Sequence, residues 1–315
     1  MLHIEIAILT IGLMSIWGGA NLVVNAATKV ARSLNISQAF IGLTVLSIGT
    51  SLPEIFTHVI ASIDVLNGIT KAASVAVGTN IGSNIIQITF VVGLIGLLTY
   101  VHSDKKILKI DFTVMIFSIA LLFILSLDGI ISRIEGIALA LIYIVYLIHL
   151  SREEKIVEKN PFKANYMKEG FFMIAGLVLL LVGANFVVNN AVTISNVLGW
   201  SGSFIGAVII GVGTALPELT TATVAILKKA HSLSLGTLIG SNITNPLLAL
   251  GIGASITNLP VDISLIVFDL PFWFFASIIA LIFFWSKMRI DKKEAVILIG
   301  IYLTYVLMRI RFFIN

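Results

Sequence analysis

The sequence contains no cysteine and very little charge. Of its 315 residues, 11% are charged and six are proline, whereas 58% are hydrophobic. The absence of cysteine excludes disulfides and thiolate metal sites. The low charge excludes an ordinary soluble domain, because water cannot accommodate so much apolar surface. The composition therefore predicts an all-α polytopic membrane protein with the lipid bilayer around it and no nucleic acid partner.

Ten apolar segments are long enough to cross a bilayer, whose core of about 30 Å needs about 20 helical residues. They are predicted at 4–28, 38–63, 72–100, 110–126, 134–150, 170–194, 203–227, 232–257, 264–285 and 294–313. With ten spans, sixteen of the 20 Lys and Arg residues fall on one side. The positive-inside rule assigns that side to the cytoplasm. We therefore expect ten transmembrane helices in the cell membrane, with both termini outside.

Three motifs occur twice in the chain. The matched segments are 18–28 with 182–193 and 41–54 with 205–218, both at an offset of 164, and 78–85 with 236–243 at an offset of 158. Each half then holds five spans, an odd number, so the second half must enter the membrane in the opposite orientation. The sequence predicts a first five-helix repeat at 1–150, a cytoplasmic linker at 151–169 and an inverted second repeat at 170–315. Inverted repeats are frequent in secondary transporters, whose substrate site lies at the midplane.

The repeated motif G-T-x-L-P-E interrupts an apolar span in each half. Proline and glycine break a helix there and free carbonyl groups near 47–50 and 211–214. Free carbonyls at membrane depth are tolerated only inside the protein or beside a cavity. Glu54 and Glu218 follow the two breaks, and the spans supply no Lys or Arg to pair with them. A mobile cation is the expected partner of these carboxylates.

Further oxygen atoms surround the two glutamates in the sequence. They belong to Thr50, Ser51, Thr214, Ser83, Asn84, Ser241, Asn242, Gln87 and Asn245. Carboxylate, hydroxyl and carbonyl oxygens are ligands of hard cations, and Ca²⁺ takes six to eight of them. Two glutamates match the charge of one Ca²⁺. The set argues against Zn²⁺ or copper.

These duplicated motifs resemble the paired α-repeats of the calcium/cation antiporter superfamily, and most closely its prokaryotic sodium/calcium exchangers. The resemblance implies an antiporter that is not an enzyme, needs no cofactor and exchanges Ca²⁺ for Na⁺ by alternating access. It implies that the first and sixth spans form a sliding gate, and the expected functional unit is a monomer. It also implies that Ca²⁺ is bound by Glu54, Glu218, Thr50 and Thr214. The implied sodium ligands are Thr50, Ser51, Ser83, Thr214 and Ser241, with the carbonyls of Ser47 and Gly211.

Three residues depart from the family pattern. Gln87 stands where the first repeat commonly has Asn, and Asn245 where sodium/calcium exchangers often have Asp. Ala215 replaces the hydroxyl that symmetry with Ser51 predicts. His58, one turn after Glu54, is either a packing residue or a group that carries a proton or tunes the carboxylate. These features leave H⁺ open as the counter-ion.

Two other classes of protein fit the sequence less well than an antiporter does. A cation channel with a glutamate filter is disfavoured, because discontinuous helices in inverted halves favour alternating access over a pore. An intramembrane enzyme needs a nucleophile and a base, whereas the duplicated motifs offer two identical sets. Two groups of polar residues are expected to be structural. Asn21, Asn25, Asn185 and Asn189 are expected to bond between helices, and Asp269 to cap a helix at the interface.

Overall fold

The structure, a computed structural model, describes residues 2–154, 163–197 and 211–313, and these are almost entirely helical. Their helices are α1 (Leu2–Leu34), α2 (Gln38–Thr50), α3 (Leu52–Leu66), α4 (71–98), α5 (Ile107–Leu125), α6 (Arg133–Glu153), α7 (Tyr166–Val197), α8 (Gly211–Thr214), α9 (Leu216–Leu227), α10 (His231–Ile256), α11 (Leu265–Lys287) and α12 (Lys292–Phe313). Residues 155–162 of the predicted linker and 203–210 of the predicted seventh span lie outside the described residues.

Seven of these helices are long and apolar enough to cross a membrane, or eight if α2 and α3 form one bent span. Helix α9 is 12 residues long, and α12 carries charged residues in its first and last turns. Large apolar side chains such as Ile134, Phe275 and Leu307 are exposed on the outer surface, where lipid can cover them. The polytopic all-helical membrane fold is confirmed. The count of ten crossings and the location of the termini remain predictions.

Helix α2 ends at the break that the repeated motif predicts. Ser51 leaves helical geometry with ψ at 5°, and the axes of α2 and α3 differ by 43°. Pro53, in the first turn of α3, has no N–H to donate to the Gly49 carbonyl four residues earlier. Helices α8 and α9 repeat the arrangement at Ala215, with ψ at −1° and Pro217 in the first turn of α9.

Two short antiparallel ladders join the N-terminal and C-terminal halves. Strand β1 (Val101–His102) pairs with β4 (Arg289–Ile290), and β2 (Ile130–Ile131) pairs with β3 (Leu259–Pro260). Val101 and Leu259 lie 158 residues apart, while their partners Ile131 and Ile290 lie 159 apart. Strand β1 is therefore equivalent to β3 and β2 to β4, so the two ladders are copies of one pairing, each of which joins the two halves.

A buried tyrosine–aspartate pair also recurs. Tyr146 donates to Asp111 at 2.8 Å, and Tyr305 donates to Asp269 at 2.6 Å. Arg309 Nη1 lies 3.1 Å from the second oxygen of Asp269, which is 1% exposed. The expectation of an interfacial cap at Asp269 is therefore wrong. The sequence offered no sign of this contact, because Tyr305 and Arg309 approach from a different helix.

Asparagines in the repeated segments of α1 and α7 were expected to bond between helices. Asn25 does so, since it accepts a bond from Lys228 Nζ at 2.8 Å. Asn21 instead donates to the Trp17 carbonyl of its own helix at 2.9 Å. The contact between α1 and α7 relies on small residues, which allow two helix backbones to approach closely.

Gly19 of α1 packs directly on Gly176 of α7. A Cβ atom at Gly19 would lie 2.6 Å from the Gly176 carbonyl oxygen, whereas one at Gly18 would meet nothing within 4 Å. We expect Gly19→Ala to lower the melting temperature in detergent, because overpacking costs about 1–3 kcal/mol. Gly18→Ala, the matched control, is expected to leave it unchanged or raise it, because alanine is the better helix former. Equal melting temperatures for the two variants would contradict this packing.

Candidate ion-binding site

Glu54 and Glu218 lie in the first turns of the helices that follow the two breaks. Each comes directly after the proline, and they are 2% and 0% exposed. Glu218 is close enough to Glu54 for their charges to repel. We call Glu54 and Glu218 the carboxylate pair. Two helix breaks from opposite halves of the chain thus bring two acidic groups together in the interior.

Most oxygens of the carboxylate pair have no hydrogen-bond partner within the described part of the chain. Ser83 Oγ donates to Glu54 Oε1 at 3.1 Å. Glu54 Oε2 and both oxygens of Glu218 are buried and unpartnered among the described residues. Thr50 lies beside Glu218 but directs its hydroxyl to the Leu46 carbonyl at 3.0 Å. Buried carboxylate oxygens without a donor or a counter-charge are costly, so this arrangement favours a bound cation.

Hydroxyl groups from α2 and α10 line the same region. Thr50 Oγ1 and Ser241 Oγ are 3.5 Å apart, and Ser47 Oγ lies 3.3 Å from Thr244 Oγ1. The Ser51 hydroxyl is buried and unpartnered within the described part of the chain. These groups can supply neutral oxygen ligands beside the carboxylate pair.

Four amide side chains form a second group, which we call the amide layer: Asn84, Gln87, Asn242 and Asn245. Asn242 Nδ2 donates to Gln87 Oε1 at 3.0 Å, and Asn245 Nδ2 donates to Asn84 Oδ1 at 3.0 Å. Both bonds join α4 to α10, and each member lies 158 residues from its counterpart. Gln87 and Asn245 each begin a π-helical turn, a distortion frequent at functional sites.

The two predicted ligands in the amide layer, Gln87 and Asn245, differ in their hydrogen bonds. Asn245 Oδ1 is buried and unpartnered among the described residues, so it is available to a cation. Gln87 Oε1 already accepts from Asn242, and Gln87 Nε2 donates to Ser83 Oγ at 3.2 Å. Gln87 therefore supports Ser83 and, through it, Glu54. Its oxygen is not free as that of Asn245 is.

The remaining predicted ligands lie around the breaks. The Ser47 carbonyl accepts the Ser51 N–H at 3.0 Å, so it is not freed by the break as the sequence suggested, although an oxygen has a second lone pair. Thr214 ends α8 and is half-buried, and Gly211 begins it. The structure thus brings together Glu54, Glu218, Thr50, Ser51, Ser83, Ser241 and Asn245 in the interior. Gly211 adjoins residues outside the described chain.

Three buried groups near the site were not predicted as part of it. Trp273 Nε1 donates to Asn242 Oδ1 at 3.1 Å, which fixes the orientation of that amide. Thr221, one turn after Glu218, has a buried hydroxyl without a partner in the described residues. Asn80 donates to His58 at 3.0 Å. A hydroxyl one turn after each glutamate, at Thr57 and Thr221, was the one visible sequence signal for any of them.

The donor set suits a hard cation. The described residues contain no group of three or more His, Cys, Asp or Glu side chains that could hold a metal. Two carboxylates with hydroxyl and amide oxygens nevertheless match the oxygen ligands of Ca²⁺ and Na⁺, and offer nothing that a soft metal prefers. The ion would be a transported substrate of this site.

Comparison with known proteins places these features in a family. A family model described as sodium/calcium exchanger protein matches residues 4–152 and 169–311. The chain is similar to the sodium/calcium exchanger MaX1 of Methanosarcina acetivorans, with 28% identity over 97% of this chain and 98% of MaX1. It is 32% identical to the inner membrane protein YrbG of Escherichia coli over 81% of each chain.

A similar structure has also been solved. The sodium-calcium exchanger NCX_Mj, soaked with 10 mM Na⁺ and zero Ca²⁺, matches with a TM-score of 0.84 and 29% identity. The match covers 98% of this chain and 99% of that one.

Proposed function

Because the chain belongs to the sodium/calcium exchanger protein family, a family of cation antiporters, we propose that it exchanges Ca²⁺ for Na⁺ across the cell membrane by alternating access. One observation carries this proposal. Three of the four oxygens of the carboxylate pair are buried without a hydrogen-bond partner in the described residues. Buried carboxylates need a counter-charge, and hard cations such as Ca²⁺ bind oxygen ligands of this kind.

Charge balance supports Ca²⁺ as one substrate. The carboxylate pair carries two formal negative charges when ionised, and one Ca²⁺ neutralises both. The unpartnered oxygens of Glu54, Glu218, Ser51 and Asn245 contribute to the six to eight ligands that Ca²⁺ takes. The hydroxyls of Thr50 and Thr214 complete the Ca²⁺ ligands in this proposal.

Sodium is proposed as the second substrate of the same region. Two Na⁺ ions also neutralise the carboxylate pair, and Na⁺ is bound by neutral hard oxygens. The ligands in this proposal are Thr50, Ser51, Ser83, Thr214 and Ser241, with the carbonyls of Ser47 and Gly211. The two ions then compete for shared groups, which is what exchange by one site requires.

Two inverted five-helix repeats, 1–150 and 170–315, are the proposed architecture. The two strand ladders and the two tyrosine–aspartate pairs recur at spacings of 158 and 159 residues, which supports this arrangement. With five spans in each repeat, the chain has ten transmembrane helices. The linker 151–169 then lies in the cytoplasm, and both termini lie outside. The site lies between the repeats within a single chain, so a monomer is the proposed functional unit.

Single cysteines test this topology, since the native chain has none to interfere. We expect Asn160→Cys to react with an impermeant maleimide only from the cytoplasmic side. Leu2→Cys and Ile314→Cys are expected to react only from outside, because the basic loops remain inside. Labelling of the two terminal positions from opposite sides would show that the number of crossings is odd.

Radioactive Ca²⁺ uptake into proteoliposomes tests the proposed function itself. We expect uptake against the Ca²⁺ gradient when an opposing cation gradient is imposed, and no concentrative uptake without one. A channel would only equilibrate Ca²⁺ down its own gradient. Equilibration without concentration would therefore overturn the antiport mechanism.

A further inference from the structure

His58 is a buried histidine that the proposed ion ligands leave unexplained. It lies on α3 one turn after Glu54 and is 0% exposed. Its Nε2 atom lies 3.0 Å from Asn80 Nδ2. An amide NH₂ group can only donate, so His58 Nε2 is the acceptor and its ring proton is on Nδ1. His58 Nδ1 has no hydrogen-bond partner among the described residues.

A directed chain of amides runs from Asn245 to this histidine. Asn245 Nδ2 donates to Asn84 Oδ1 at 3.0 Å, and Asn84 Nδ2 donates to Asn80 Oδ1 at 3.2 Å. Asn80 Nδ2 then donates to His58 Nε2 and also to the Asn245 main-chain carbonyl at 3.1 Å. Every amide therefore turns its NH₂ group toward His58 and its oxygen away from it.

The direction of the hydrogen bonds between these amides determines which side-chain atom of Asn245 has no partner in the described residues. With His58 as the acceptor, the unpartnered atom at the far end is Asn245 Oδ1, a cation ligand. A donor at the position of His58 Nε2 would face the Asn80 NH₂ group, and two donors cannot bond. Reversing all three amides to relieve that conflict would turn the Asn245 NH₂ group outward, where it would repel a cation.

This device exists in one half of the chain. At the offsets of the repeated motifs, Ala222 occupies the position equivalent to His58 and Leu238 that equivalent to Asn80. Neither side chain can form the hydrogen bond that His58 and Asn80 share. The hydrogen bond between His58 and Asn80 therefore occurs in the first half alone and does not follow from the repeated fold.

The other half orients its amides by a different contact. Trp273 donates to Asn242 Oδ1, so Asn242 gives its NH₂ group to Gln87 and occupies the Gln87 oxygen. The two equivalent residues of the amide layer therefore differ in what they offer. Among the described residues the Asn245 oxygen has no hydrogen-bond partner, whereas the Gln87 oxygen already accepts one bond.

We propose that His58 is a positioning residue for cation binding, which acts through Asn80 and Asn84 to hold the side-chain oxygen of Asn245 toward the bound ion. This role rests on the proposed cation site. It requires a hydrogen-bond acceptor at the place of His58 Nε2 and does not require His58 to exchange a proton.

Substitutions at His58 separate this role from packing. Ca²⁺ uptake is measured in proteoliposomes over a range of Ca²⁺ concentrations, under the gradient that drives the wild-type protein. We expect His58→Leu to raise the KM for Ca²⁺ about tenfold with the maximal rate within about twofold, the size of one lost hydrogen bond. His58→Gln, whose Oε1 reaches as far as Nε2 and accepts, is expected to restore the KM to within about threefold. His58→Met replaces the leucine variant if that protein is not monodisperse.

Ser62→Ala is the matched control. Ser62 lies one turn further along α3 and is equally buried. Its hydroxyl bonds to the main-chain carbonyls of His58 at 2.7 Å and Gly253 at 2.8 Å, and it bonds to no side chain of the amide chain. Its loss is expected to leave the KM for Ca²⁺ unchanged, even if the melting temperature falls. An equal rise of the KM in Ser62→Ala and His58→Leu, or failure of His58→Gln to restore the KM, would overturn the inference.

A double-mutant cycle tests whether His58 acts through Asn245. In an Asn245→Ala background, His58→Leu is expected to change the KM for Ca²⁺ less than about twofold, because the oxygen it positions is absent. A full tenfold effect there would show that His58 acts elsewhere. Wild-type protein that takes up no Ca²⁺ would contradict the proposed function. If the wild type is active and the effects of the two substitutions on the KM are additive, this inference alone is contradicted.

Discussion

Glu218→Gln is expected to abolish Ca²⁺ transport and to lower the initial uptake rate at least about a hundredfold. Both oxygens of Glu218 are buried and have no hydrogen-bond partner among the described residues, so a bound cation would supply the counter-charge that they lack. Removing one partner of a buried ion pair costs about 3–5 kcal/mol, and each 1.4 kcal/mol is about a tenfold change in binding. Radioactive Ca²⁺ uptake into proteoliposomes measures this loss.

Glu54→Gln is expected to give the same loss of transport. Glu54 Oε1 accepts a bond from Ser83, and its Oε2 is unpartnered in the described chain, so it too offers an open oxygen to the ion. The matched control is Asp64→Asn, which removes a half-buried carboxylate from the last turn of the same helix, and should leave uptake unchanged. Full activity of either glutamine variant would remove the carboxylate pair from the site.

Thermal stability distinguishes loss of the site from loss of the fold. Without Ca²⁺, the carboxylate pair is held together against its own repulsion, so Glu218→Gln is expected to melt at a higher temperature than the wild type. Added Ca²⁺ should raise the melting temperature of the wild type, because it binds the folded state, and leave that of the variant unchanged. A variant that melts lower and still responds to Ca²⁺ would contradict this account of Glu218.

Ca²⁺ uptake is also expected to depend strongly on which counter-ion gradient is imposed. With pH equal and clamped on both sides, an outward Na⁺ gradient is expected to drive Ca²⁺ uptake well above equilibrium. Thr50, Ser51 and Ser241 keep hydroxyl oxygens inside the site, and hydroxyls bind Na⁺ without needing a second acid. The matched control replaces the internal Na⁺ by choline, which is too large for such ligands and should give no concentrative uptake.

Four residues support the competing expectation that H⁺ is exchanged. Asn245 stands where sodium/calcium exchangers often have Asp, Gln87 replaces a common Asn, Ala215 lacks the hydroxyl of Ser51, and His58 lies one turn after Glu54. His58 is engaged with Asn80, however, and Asn245 presents an oxygen suited to a metal ion. Inhibition by acid does not distinguish the ions, because protons compete for the carboxylate pair in both cases. Uptake under an outward proton gradient in sodium-free medium, with none under the Na⁺ gradient, would overturn sodium coupling.

The sequence by itself determined the class of protein, and it predicts the centre of the proposed site. Long apolar segments are predictable because a bilayer requires about 20 apolar residues per helix, whatever the neighbours are. The two breaks are predictable because proline lacks an N–H in every context. Glu54 and Glu218 follow from the same local chemistry, since a carboxylate beside a break in an apolar segment needs a cation.

Only the tertiary structure decided which of the polar groups are free. Asn245 and Gln87 are equivalent by motif, yet the side-chain oxygen of Asn245 has no partner in the described residues and that of Gln87 accepts from Asn242. The difference arises because Trp273 orients Asn242 and His58 orients Asn80, and these two residues lie on different helices. Asp269 was misplaced for the same reason, since Arg309 meets it from α12. Such contacts join residues far apart in the chain, and an amide can point either end toward a neighbour. Helical periodicity specifies the face on which a side chain lies, but its partner and the direction of its hydrogen bond depend on how the helices pack.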